Sequence, residues 1–311
     1  MRAATEIGDS LALKIGPTGL SLHWSGSRVT GWPHPFYEDF VTDGPCKMTL
    51  QVHCGPLPAY RTEELLFEAR DNRWNLYRSD GQFLLEMFDT RTGETTRVAL
   101  LNQELTSGEV YLRPESKSPP TWSLPLLLHH LGELLVVNLL SRDRGFLVHA
   151  AGVNDGGRGV LFVGRSGSGK TTLANLYRGR AGVVVLSDER VIISKSGEEY
   201  LISGTPWPGG AMVVSAESVP LRRIFFIEHA PTNVVFPEKP ATLAGLLFQQ
   251  TFLPFWDRHG LTSALSLADE LLRTVPAHRL GFVNDAQVID FVRAQANGSA
   301  LSPGRPLHAV R

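Results

Sequence analysis

Residues 164–171 read Gly164-Arg165-Ser166-Gly167-Ser168-Gly169-Lys170-Thr171 and fit G-x-x-x-x-G-K-[ST], the spacing of a phosphate-binding loop. The residues before it, Gly159-Val160-Leu161-Phe162-Val163, form the short apolar run of a buried strand. Those after it, Thr172-Leu173-Ala174-Asn175-Leu176-Tyr177, open a helix. Strand, glycine loop and helix in succession are the context in which the motif holds a polyphosphate. Gly164, Gly167 and Gly169 let the backbone turn so that its N–H groups face the anion, with Arg165, Ser166, Ser168 and Thr172 in the same cradle. The helix start adds the positive end of a dipole. Lys170 is spaced to reach the β- and γ-phosphates, and Thr171 to hold Mg²⁺ through its hydroxyl. ATP and Mg²⁺ are therefore the expected cofactors.

Just beyond the loop helix, Gly182-Val183-Val184-Val185-Leu186-Ser187 reads as another buried strand, ending at Asp188-Glu189. Strand ends in open α/β sheets face the ligand crevice. One carboxylate there can hold Mg²⁺ while the other accepts a proton from a hydroxyl nucleophile. Further strands are expected at Gly145–Val153, Val191–Ser194, Tyr200–Ser203, Arg223–Glu228 and His278–Phe282. Helices are expected at Leu124–Ser141, Ala241–Thr251, Ser263–Thr274 and Asp285–Ala296.

Residues 1 to 115 have a different texture. Leu11-Ala12-Leu13-Lys14-Ile15 and Trp74-Asn75-Leu76-Tyr77-Arg78 alternate at period two. Phe83–Asp89 and Thr95–Leu101 are further strands, with turns at Ser79-Asp80-Gly81-Gln82 and Thr90-Arg91-Thr92-Gly93. This half reads as a small, mainly antiparallel β-domain. Glu115-Ser116-Lys117-Ser118-Pro119-Pro120 reads as a linker, and Asn297–Arg311 as a flexible tail.

Composition is that of a soluble globular protein, with 42% apolar and 20% charged residues among 311. The net charge of −1, from 30 basic and 31 acidic residues, offers no global attraction to nucleic acid or to an anionic membrane. Cys46 and Cys54, the only cysteines, are expected to be free and buried in a reducing cytoplasm. No signal-peptide core stands at the N-terminus, and His129, His130, Glu133 and Asn138 break up the most apolar stretch.

In Phe146-Leu147-Val148-His149-Ala150, the phosphate loop and Leu186-Ser187-Asp188-Glu189, taken in that order, the chain resembles the kinase domain of HPr kinase/phosphorylase. The loop and the acid pair are also similar to ATP-type phosphoenolpyruvate carboxykinase. Gly204-Thr205-Pro206-Trp207-Pro208-Gly209 and Pro220–Phe226 resemble the HPr-kinase-like proteins encoded beside ribosomal-peptide pathways. The likeness covers about residues 124–295 and leaves out the β-domain. It implies an α/β P-loop kinase domain over 119–296, preceded by a β-rich domain over 1–118 and followed by the tail at 297–311. By the same resemblance Lys170 and Thr171 serve phosphate and Mg²⁺, Asp188 is the base toward the acceptor hydroxyl, Glu189 is a metal ligand, and His149 stands near the transferred phosphate. The family commonly carries a glutamate soon after the Gly-Thr-Pro segment; this chain has Gly209-Gly210-Ala211-Met212 there. The implied activity is ATP- and Mg²⁺-dependent transfer of phosphate to a hydroxyl, the serine of a peptide or protein acceptor such as a ribosomal-peptide precursor. A small-molecule hydroxyl kinase and a nucleotide-binding regulatory protein are the alternatives, and a homo-oligomer is left open.

Overall fold

The computed structural model describes residues 8–32, 34–69, 73–117 and 120–296. The expected tail at 297–311 lies outside these residues, as do Ser118 and Pro119 of the expected linker. The protein is of mixed α/β type, with large sheets and few helices. Its chain divides into two compact units, Met1–Leu139 with Pro254–Arg258, and Leu140–Leu253 with His259–Arg311.

The first unit contains strands β1 (Ser10–Ile15), β2 (Thr18–Trp24), β3 (Arg28–Thr30), β4 (Met48–Cys54), β5 (Glu64–Glu68), β6 (Trp74–Ser79), β7 (Gln82–Phe88), β8 (Thr95–Leu101), β9 (Ser107–Leu112), β10 (Ser116–Lys117) and β11 (Pro120–Ser123). Eight of them form one sheet in the order β1-β2-β4-β9-β8-β7-β6-β5. Most pairings are antiparallel, but β2–β4 and β4–β9 are parallel. Period-two alternation turns Leu11, Leu13 and Ile15 of β1, Leu20 and Leu22 of β2, and Met48, Leu50 and Val52 of β4 into the core. The β6–β7 hairpin turns at Asp80-Gly81, both left-handed at φ 49 and 72, as a two-residue turn requires.

Of the expected linker, Ser116–Lys117 and Pro120 are strand residues. β10 and β11 pair with each other, and β11 continues in parallel onto β3. The buried Trp122 ring meets Trp24 edge-on, with centroids 5.2 Å apart. The expected long helix breaks into α1 (Leu124–Leu128) and α2 (Leu131–Arg142), with His130 left-handed at φ 64 between them. The buried Arg97 guanidinium explains the break. It donates to the carbonyls of Leu126, Leu127 and His129 at the end of the helix, where carbonyls run out of intrahelical partners. The first unit therefore runs on to Leu139, past the expected boundary at 118/119.

The second unit holds β12 (Gly145–Asp155), β13 (Arg158–Val163), α3 (Lys170–Tyr177), β14 (Val183–Ser187), β15 (Arg190–Ser196), β16 (Glu199–Ser203), β17 (Ser218–His229), β18 (Val234–Phe236), α4 (Pro240–Gln249), β19 (Thr251–Phe252), α5 (Arg258–Thr274), β20 (Ala277–Phe282) and α6 (Gln287–Ala296). Nearest the phosphate loop the strand order is β14-β12-β13-β17-β20-β18. β17 runs parallel to both β13 and β20, and β14 shares that direction because both it and β13 are antiparallel to β12. The first half of β12 and the start of β17 carry a second layer of pairings to β15, β16 and β19. Along β13, Leu161 and Val163 enter one core with Leu243, Leu247 and Leu267, whereas Val160 and Phe162 enter another with Leu173, Tyr177 and Val288. A strand buried on both faces needs an unbroken apolar run, which is what its sequence shows.

Candidate functional site

The shared strand direction brings the carboxyl ends of β13, β14, β17 and β20 to one edge, where a ligand crevice is expected. The 164–169 loop follows β13, and α3 starts at Lys170 with Gly169 as its N-cap. Gly167 and Gly169 are left-handed, at φ 80 and 101. A Cβ on Gly164 would overlap the Ser168 side chain, and one on Gly169 would overlap the Phe282 ring. The glycines are thus fixed by backbone conformation at one end and by close packing at both.

Lys170 is buried, and its Nζ donates back to the carbonyls of Gly164 at 2.8 Å and Arg165 at 3.0 Å. Burial lowers its pKa, against the raising effect of Glu189. Thr171 Oγ1 donates to Asp188 Oδ2 at 2.8 Å. Asp188 is fully buried. Its Oδ2 also accepts from Ala211 N at 2.8 Å, and its Oδ1 from Gly209 N at 3.0 Å. One carboxylate therefore ties the first turn of α3 to the 204–211 segment. A Cβ on Gly209 would strike that same carboxylate, which accounts for the residue type. A Cβ on Gly210 would stand 3.4 Å from Thr171 Cγ2, so a side chain at that position would lie directly beside Thr171.

Glu189 is partly buried, with its side chain 34% exposed. His149 Nε2 lies 3.1 Å from Glu189 Oε2, and Arg190 Nη1 donates to Glu189 Oε1 at 2.5 Å. The His149 hydrogen bond, aided by Arg190, holds the Glu189 carboxyl down at about 2 against the opposing effect of partial burial. The turn is set by Ser187 Oγ, which accepts from Glu189 N and Arg190 N at 3.2 and 3.1 Å. His149 is cross-strand from Arg190, and its own N–H donates to Gln250 O at 2.7 Å. The Arg190 guanidinium lies 4.5 Å from the Phe252 ring centroid.

The loop, Lys170, Thr171, Asp188, Glu189 and His149 are thus brought to one sheet edge. The residues fit a polyphosphate: close-packed glycines shape the loop, and Ser168 Oγ is buried within it without a hydrogen-bond partner. They also fit Mg²⁺ shared with a nucleotide. Thr171 and the two carboxylates supply hard oxygens, yet among the described residues no cluster of three or more His, Cys, Asp or Glu could cage an ion alone. Sequence reasoning had not given Arg190, Ser187 or the Gly209 and Ala211 N–H groups a place here. Only Arg190 carried a signal, as the cation directly after the acid pair.

Another expectation resolves differently. Cys46 and Cys54 are free but only partly buried. No helix among the described residues is long and apolar enough to cross a membrane. The chain matches no model of a known family and no curated protein.

Proposed function

We propose that the protein is an ATP- and Mg²⁺-dependent phosphotransferase acting on a hydroxyl, the serine of a peptide or protein. The observation that carries this reading is the Thr171–Asp188 hydrogen bond, which joins the phosphate loop to the acid pair at one strand edge. Mg²⁺ bound with the nucleotide would neutralise charge on the β- and γ-oxygens. Lys170 would leave the Gly164 and Arg165 carbonyls for the phosphates, and the loop N–H groups would hold them in line. Thr171 and Glu189 would supply metal oxygens. Asp188 would take the acceptor proton after giving up its bond to Thr171, and His149 would keep Glu189 ionised and oriented.

Lys170→Ala tests the reading: thermal stabilisation by Mg·ATP should disappear, since a cation at the β/γ-phosphates is lost. Full stabilisation of the variant would remove Lys170 from the site. A second reading, nucleotide binding without turnover, is favoured by the three protein donors already on Asp188 and by the missing acid at Gly210. Formation of ADP from Mg·ATP with a serine-containing acceptor separates the two.

A further inference from the structure

The phosphate loop has two flanks. On one, through β12 and β14, stand His149, Asp188 and Glu189. On the other, toward β17 and β20, the loop borders a cleft of about 930 Å³. Its walls are the loop itself, the end of β17, Arg279 on β20, and Thr242, Leu246 and Gln249 on α4. Lys170, Thr171, Asp188 and Glu189 are not among its lining residues. The volume is that of a small-molecule site.

The lining chemistry narrows the ligand. Phe226, Ile227 and Leu246 give apolar surface, while Thr242 and Gln249 carry both donors and acceptors. Beyond the loop the cleft's ionisable side chains are Glu228, His229 and Arg279, and the arginine is already spent. Glu228 takes it bidentately at 2.8 and 2.7 Å, and Glu238 accepts at 3.3 Å. Neutralised in this way, the cleft suits a flat group with apolar faces and hydrogen-bonding edges better than a second anion.

We propose that this cleft holds the nucleoside of the bound nucleotide. The polyphosphate then runs along the loop from the α4 flank to the Asp188–Glu189 flank, and the acceptor arrives over Glu189 and His149. This inference rests on the phosphotransferase reading and adds a direction to it.

Calorimetry on the full chain with Mg·ATP and with Mg·tripolyphosphate tests it. The wild type should bind Mg·ATP at least about tenfold tighter than tripolyphosphate, the surplus being the nucleoside's. Leu246→Trp and, on the exposed end of α4, Gln249→Trp should each remove that surplus and leave tripolyphosphate binding unchanged. Equal affinity for the two ligands in the wild type, or full ATP affinity in both folded variants, overturns the inference while leaving the loop assignment standing. Failure of the wild type to bind either ligand overturns the loop assignment and the inference with it. Photolabelling by 8-azido-ATP needs no variant: label on residues 240–249 supports the cleft, and label confined to 188–190 overturns it.

Discussion

Asp188 was legible as an acid at a strand end, but its burial was not. The two N–H groups that reach it come from Gly209 and Ala211, more than twenty residues away, and no local pattern announces such a contact. Its position changes what substitution should do. Asp188→Asn keeps the shape but replaces one accepting oxygen with a donor, so at least one of three hydrogen bonds must fail. A buried donor left unpaired costs about 1–3 kcal/mol. The variant should therefore be measurably less stable to denaturant, and phosphoryl transfer should also fall by about two to four orders of magnitude. Unchanged stability would mean that the 204–211 segment is not held by this carboxylate. Glu189 makes a pH prediction of known sign. Its folded pKa of about 2 lies below the ordinary 4.5, so the ionised form favours the folded state. That contribution is complete above the ordinary range and is lost as pH falls through about 2. Denaturation of wild type against Glu189→Gln should show a stability difference that is constant near neutrality and shrinks only between about 4.5 and about 2. A difference already lost near neutral pH would place the His149 contact in doubt.

At the scale of elements, the strands around the phosphate loop were legible because burial on both faces forces continuous apolar runs such as Val160–Val163 and Val183–Leu186. β2, β4 and β9 were passed over. Their parallel pairing joins strands with long intervening segments, and no turn signal marks it. The split between α1 and α2 was hidden because its cause, Arg97, sits in β8. Gly167 and Gly169 turn the loop as expected, whereas Gly164 is set by its contact with Ser168, and the packing of Gly169 against Phe282 could only emerge once β20 lay beside β17. That packing gives an element-level prediction. Gly169→Ala would place a Cβ into the Phe282 ring at a residue whose φ is 101, where a side chain is strained whatever the space. The expected cost is about 1–3 kcal/mol of unfolding free energy, with loss of Mg·ATP binding as the start of α3 shifts. Pairing Gly169→Ala with Phe282→Ala should recover part of the packing loss but not the backbone strain. Full stability of the single variant would show that the loop can relax around the added methyl.

At the scale of the whole molecule, the division into units decides which pieces can stand alone. A fragment beginning near Ser118 follows the change of texture in the sequence. It would nevertheless carry α1 and α2 without most of the first unit, to which they belong as far as Leu139. Leu124, Leu127, Leu128, Leu131 and Leu135 are buried in the intact protein, and Arg97, which caps the end of α1, would be missing. Such a fragment exposes a contiguous leucine surface and should aggregate. A fragment beginning at Leu140 omits those helical turns and keeps every residue of the loop, the acid pair and both cores of the second unit. It retains one liability, since Pro254–Arg258 belongs to the first unit. There Trp256 meets Phe67 and Trp74 at 5.2 and 5.7 Å between centroids and donates through Nε1 to Asn138 at 2.9 Å. Trp256→Ser in the Leu140 fragment removes the indole stranded by the cut. The fragment with that change should be soluble, cooperative in thermal unfolding and stabilised by Mg·ATP. The Ser118 fragment should be recovered mainly as aggregate. If the Ser118 fragment instead unfolds cooperatively while the Leu140 fragment does not, α1 and α2 contribute more to the second unit than to the first, and the boundary belongs near 118 after all.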